Sequence, residues 1–263
     1  MTERKCSCSK EVTGTIPIMR VIAKLDALFA KDEMQEAGRV LEYWEGEARA
    51  LNDDRGLLEI LSEEIGYYRS TGDREKGLRA VDEALQLLEC TKTCDSVSNA
   101  TVYLNCATTM KAFGRAEESL LYYGKAKEVY EKLLPSDDFR LAGLYNNYAA
   151  ALSELGRYKE ARIFYNKAID LLKNKGGFGE LAVSYVNLAQ TVYDEAAVVG
   201  ANADEETDRL LDLAYNCLED KTLPRDGNYA MICRKCATAF GFFGYFLQKQ
   251  ELEERAREIF AKS

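Results

Sequence analysis

LAGLYNNYAAALSELGRYKEARIFYNKA, residues 141–168, decides the fold. Large residues recur three or four positions apart at Leu141, Tyr145, Tyr148 and Leu152, which is helical spacing. Gly156 interrupts the run, and a second helical run follows through Ala161, Tyr165 and Ala168. Gly156 has counterparts at Gly72 and Gly114, each 42 residues apart. Ala168 has counterparts at Ala84 and Ala126 with the same spacing, so each alanine follows its glycine by twelve residues. The spacing predicts two helices joined at a glycine, repeated along the chain. A fixed period of roughly 20–50 residues is the mark of a solenoid, in which each unit buries its apolar face against its neighbours.

The same template extends in both directions. Upstream it reads Tyr103-x2-Cys106-Ala107-x2-Met110, then Ser119-x3-Tyr123-x2-Ala126. Before that come Leu61, Ile65 and Tyr68, then Gly77-x3-Val81-x2-Ala84. Downstream it reads Tyr185-x2-Leu188-Ala189-x2-Val192, then Thr207-x3-Leu211-x2-Ala214, with about six extra residues expected between the helices near Gly200. The last unit runs from Cys233-x2-Cys236-Ala237-x2-Phe240 past Gly244 to Ala256. The first is the most degenerate, with Trp44 where the others carry a small residue. The order of large and small positions resembles the tetratricopeptide repeat. The resemblance implies an all-α, right-handed α-α superhelix of about six helix-turn-helix repeats. The expected starts are near residues 18, 58, 100, 142, 182 and 230, giving one solenoid over 18–263 behind a disordered tail at 1–17. The period is longer than the family's usual one, and is similar to that of kinesin light chains and bacterial peptide-sensing regulators. Gly176-Gly177-Phe178-Gly179 reads as a flexible connection, since it lacks the lysine and strand context of a phosphate loop.

Composition narrows the function. The 263 residues hold only three prolines, as a helical chain requires. The net charge of −9 argues against nucleic acid, whose phosphates need a basic face. No apolar run is long enough to span a bilayer, and Met1 to Cys8 is polar rather than signal-like, so a cytoplasmic location and no membrane partner are expected. There are eight cysteines and no histidine, which removes the usual general base and the commonest metal ligand. Cys6-x-Cys8, Cys90-x3-Cys94 and Cys233-x2-Cys236 are closely spaced, but Cys233 and Cys236 fall at buried-type helix positions. No metal, no cofactor and no enzyme activity are expected.

The remaining candidates concern binding. The resemblance places the first helix of each unit on an inner concave surface. One position there is occupied by Glu63, Asn105, Asn147, Asn187 and Lys235, and Asn146 stands beside the middle asparagine. Asparagine is a poor helix-interior residue, so three in register need a reason. An amide both donates and accepts, so these side chains can pair with the backbone of an extended peptide. Alternatively they hydrogen-bond within the solenoid and set the stacking of its units. Arg234 and Lys235 place two positive charges at the C-terminal end of the groove, where they hold a carboxylate, stay solvated or pair with the nearby acidic chain. Phe240, Phe242, Phe243, Tyr245 and Phe246 form an aromatic cluster that either closes the solenoid or supports a homodimer. The expected function is a protein- or peptide-binding adaptor. The alternative is a regulator that senses a small peptide without a DNA-binding domain of its own.

Overall fold

The computed structural model describes residues 11–91 and 96–262, so Cys6, Cys8 and Cys94 lie outside the described residues. Among the described residues there are twelve α-helices and no strand. They fall into two compact units. The first holds α1 (Ile18–Phe29), α2 (Met34–Ala50), α3 (Asp54–Thr71), α4 (Arg74–Thr91), α5 (Val97–Ala112) and α6 (Ala116–Leu133). The second holds α7 (Phe139–Glu154), α8 (Tyr158–Lys175), α9 (Phe178–Val199), α10 (Asp204–Leu218), α11 (Gly227–Phe242) and α12 (Phe246–Lys262). Within each unit the odd-numbered helix of a pair packs on its even-numbered partner and on the next odd-numbered helix. The fold is an all-α repeat solenoid.

One turn closes every pair. At its centre a residue takes the left-handed conformation: Asp32, Gly72, Gly114, Gly156, Gly200 and Gly244. The following residue donates its N–H to a carbonyl five positions back. The bonds run from Glu33 to Leu28, Asp73 to Tyr68, Arg115 to Met110, Arg157 to Leu152, Ala201 to Ala196 and Tyr245 to Phe240, all within 2.8–3.0 Å. This satisfies a carbonyl that the helix end would leave orphaned. Only glycine enters that conformation without steric cost, which explains the recurrence at 72, 114 and 156. Asp32 is the exception, and aspartate is among the few other residues that tolerate it.

Small residues set the packing inside each pair. Ala107, Ala149, Ala189 and Ala237 of the odd-numbered helices are buried, as are Ala84, Ala126, Ala168, Ala214 and Ala256 of the even-numbered ones. Large side chains fill the space these alanines leave; Tyr123 and Tyr165 are among the largest fully buried residues. Trp44 is only half-buried, and Ala48 one turn later takes the buried small position in the first pair.

Three segments differ from the expectation. The additional residues of the fifth repeat lengthen α9 to 22 residues, and only Gly200 to Ala203 is left between α9 and α10. No helix breaker stands before Gly200, so the helix runs on to it. The glycine-rich connection is a tight junction: Gly176 caps α8 at φ +74°, Gly177 caps α9, and Gly179 is already helical. A Cβ on Gly179 would lie 2.6 Å from Ile232 Cδ1, so this glycine admits the close approach of α11. From residue 11 onward the N-terminal segment is held on the α2–α3 turn. Thr13 N–H donates to Leu51 O at 2.9 Å, Ile16 N–H donates to Asp53 Oδ2 at 2.9 Å, and Ile16 is buried. No helix among the described residues is long and apolar enough to cross a membrane.

Candidate functional site

The asparagines divide by hydrogen bonding. In the first unit, Asn105 of α5 is half-buried and donates its Nδ2 to Ser62 Oγ of α3 at 2.9 Å. In the second unit, Asn146 of α7 is buried and donates its Nδ2 to Ser184 Oγ of α9 at 2.6 Å. Ser184 passes its own proton to Glu180 O at 2.8 Å. These amides therefore serve seams between consecutive first helices. The α7–α9 seam continues through Ser153 and Thr191, 3.0 Å apart. Asn146 Oδ1 is buried with no protein partner, an acceptor left open beside the seam.

Asn147 and Asn187 differ from that pair. Both are half-buried, on α7 and α9 of the same unit, and among the described residues neither side-chain amide has a hydrogen-bond partner. Behind them, Tyr145 and Tyr185 are buried. Lysines cover these rings: Lys167 Nζ lies 5.4 Å from the Tyr145 and Phe164 centroids, and Lys173 Nζ lies 5.8 Å from that of Tyr185. The first unit repeats the arrangement with Lys125 Nζ 5.2 Å from the stacked rings of Tyr103 and Tyr122. The Lys125 and Lys167 contacts are equivalent, 42 residues apart, whereas Lys173 reaches Tyr185 from the preceding helix.

Charge on the first-helix faces is uneven. At the position equivalent to the asparagines, Glu63 is held above the usual carboxylate range, mainly by burial and then by Asp26 and Glu59. In the second unit, Arg234 lies over the Phe260 ring of α12, 4.3 Å from its centroid, while Lys235 is exposed. Two clefts lie away from the asparagines. One of about 870 Å³ runs along α4 and carries Arg49, Arg74 and Arg79 among acidic neighbours. The other, of about 410 Å³, lies at α8, α9 and α10, where Arg162 bridges Glu195 at 3.2 Å and Glu206 at 2.8 Å.

The thiols are built for packing. Cys106, Cys217, Cys233 and Cys236 are buried and unbridged. Burial pushes the Cys236 thiol up to about 12 and that of Cys217 up to about 11, and raises Cys106 and Cys233 as well. Thiolate, the reactive form, is thereby suppressed. Among the described residues no group of three or more Cys, Asp or Glu is placed to hold a metal ion. With eight cysteines in the chain and these four buried, titration of the native protein with a disulfide reagent should release no more than four thiols promptly. The other four should appear only in denaturant. Prompt reaction of a fifth would show that the cores of α5, α10 or α11 open readily.

The comparisons agree with the fold. The tetratricopeptide repeat family model matches residues 141–174, which span most of α7 and α8. No curated protein sequence matches the chain. Among solved structures, the fold is similar to a kinesin light chain-type protein of Podosopora anserina with nearly identical TPR-like repeats. It shares 18% identity over 78% of this chain and 95% of that one, at a TM-score of 0.53. It is similar to the apo form of RapI, at 15% identity over 94% of this chain and all of that one, with a TM-score of 0.55. It is also similar to Bacillus thuringiensis PlcR in complex with the peptide PapR7 and DNA. There the identity is 12% over 90% of this chain and 74% of that one, with a TM-score of 0.56. The chain thus carries a tetratricopeptide repeat match at 141–174 inside a fold similar to that of these solenoids.

Proposed function

We propose that the chain is a non-enzymatic adaptor that binds an extended peptide or protein segment along the first-helix face of its repeats. The observation that carries this reading is the contrast among the asparagines. Asn105 and Asn146 are engaged in seams, whereas the amides of Asn147 and Asn187 are half-buried on neighbouring helices without a hydrogen-bond partner among the described residues. An amide so placed satisfies a peptide N–H and C=O together. In this reading Asn147 and Asn187 hold the segment's backbone, and Asn146 fixes the helices that carry them. Lys235, with Arg234, meets an acidic group at the segment's end. The protein acts in the cytoplasm through protein contact.

A second reading, a regulator that senses a short peptide, draws support from the likeness to PlcR, which is solved with the peptide PapR7. The likeness is one of fold. The two readings separate on the size of the ligand.

Screening an arrayed library of short peptides, and then partner proteins carrying the best sequences, tests both. Asn147→Ala is expected to weaken the best ligand several-fold with helicity unchanged, since one hydrogen bond contributes about 0.5–1.5 kcal/mol. Asn105→Ala and Asn146→Ala are expected to lower thermal stability first. Unchanged affinity in an Asn147→Ala/Asn187→Ala variant would remove the groove from this face.

A further inference from the structure

The turn between α11 and α12 exposes large apolar side chains where the turns at Gly72, Gly114 and Gly156 carry small or charged ones; before Gly200, Val198 and Val199 are also exposed. Two residues before the turn glycine, the repeats carry Ser70, Ala112 and Glu154; three residues after it they carry Glu75, Glu117 and Lys159. All six are exposed. The last pair has Phe242 and Leu247 at these places, 59% and 82% exposed, and Phe246 beside them is 68% exposed. Nothing in the repeat architecture calls for large apolar groups there. Tyr193 of α9 extends the surface, with its ring edge-to-face against Phe242 at 5.6 Å and Phe243 at 5.5 Å. Each aromatic side chain brings on the order of 150–250 Å² of surface. Neighbouring exposed apolar groups of this kind, rather than scattered single ones, are what interaction surfaces are built from.

The border of this patch is acidic. Between Asp194 and Asp212 the chain has seven acidic residues and one basic residue, Arg209. Tyr245 donates its hydroxyl to Asp208 Oδ1 at 2.8 Å, which joins the aromatic turn directly to the first turns of α10. Glu195 and Glu206 are neutralised by Arg162, but Asp204, Glu205 and Asp212 are exposed. On the far side, Lys249 leans across Gly241 and pairs with Glu253 at 3.8 Å.

We infer that this face docks a basic amphipathic helix of another protein. The aromatic turn would receive the partner's apolar stripe, and the start of α10 would receive its lysines or arginines. A second copy of this chain fits poorly, because a self-paired face would bring two acidic borders together.

The test uses the full chain and labelled helical peptides of about 18 residues, long enough to form several turns. One peptide alternates Leu and Lys on opposite faces. A second replaces Lys by Glu, and a third replaces Leu by Ser. Fluorescence anisotropy is expected to show saturable binding of the Leu/Lys peptide alone. Phe242→Ser/Leu247→Ser should weaken it at least tenfold with helicity retained, since both side chains are exposed. Asp204→Asn/Glu205→Gln should weaken it several-fold and flatten its salt dependence. Absence of binding overturns the inference, as does equal binding by the Phe242→Ser/Leu247→Ser variant or equal binding of the Leu/Glu peptide. A concentration-dependent doubling of mass, lost in the same variant, would assign the face to a second copy instead.

Discussion

Glu64→Gln is expected to stabilise the protein at pH 8.5 and to give no such gain at pH 5. Glu64 lies in α3, fully buried, and neither carboxylate oxygen has a hydrogen-bond partner. Glu45 and Arg49 of α2, Arg79 of α4 and Tyr68 of its own helix surround it. Arg49 does not serve as its counter-ion. That guanidinium pairs with Glu45 at 2.6 Å and with Glu83 at 2.6 Å. Burial, and then the charge of Glu45, push Glu64 up to about 8. At neutral pH it is therefore mostly a neutral acid. A carboxyl whose folded value is raised favours the folded state fully only below its unfolded value. Stability is lost as pH climbs from about 4.5 and levels off above about 8. The full loss is at most about 5 kcal/mol, at about 1.4 kcal/mol per unit. Glutamine keeps the shape and removes the charge. Its amide still lacks a partner, so part of the gain is offset by about 1–3 kcal/mol. The measurement is thermal unfolding of both proteins from pH 5 to 9. The difference between the two curves should change by several degrees over that range. Parallel curves would mean that Glu64 reaches water or a counter-ion in solution.

This carboxylate also marks where the sequence was legible and where it was not. The turn glycines, the buried alanines and the aromatic positions recur at a fixed spacing, because each satisfies a local geometric demand that repeats with the fold. The register even flags Glu64. It stands eight residues before its turn glycine, as Cys106 and Tyr148 do before theirs, and so at a packing position. Its lack of a partner, however, depends on where Arg49 and Arg79 point, which no spacing encodes. The asparagines show the same limit. Asn105, Asn147 and Asn187 share one register, yet Asn105 finds Ser62 while Asn147 and Asn187 show no such pairing. Whether an amide binds a neighbour or faces outward depends on a hydroxyl on the adjacent helix, roughly 40 residues away in sequence. The extra residues before Gly200 could be counted, but their helical continuation in α9 is visible only once the missing breaker is weighed against the expected loop.

Tyr123→Ala is expected to destabilise the first unit by about 3–5 kcal/mol, the range for removing a large buried aromatic ring. Tyr123 occupies the position shared by Leu41, Val81, Tyr165 and Leu211, and all five are buried. It lies in α6 between Ser119 and Ala126, both fully buried, so the small flanking residues leave the ring as the main filling of that layer. Its hydroxyl donates to Thr108 Oγ1 of α5 at 3.2 Å. Tyr123→Phe keeps the ring and loses that bond, which contributes about 0.5–1.5 kcal/mol. The two variants thus separate packing from hydrogen bonding at one site. Denaturant unfolding followed by far-UV circular dichroism should place the phenylalanine variant close to wild type and the alanine variant far below it. If both fall equally, the hydroxyl network between α5 and α6 holds this layer together and the ring does not. If neither moves the midpoint, neighbouring side chains have closed over the cavity. A close-packed pair of helices resists that collapse, because Ala107 and Ala126 already bring the backbones near contact and leave no long side chain to swing into the gap.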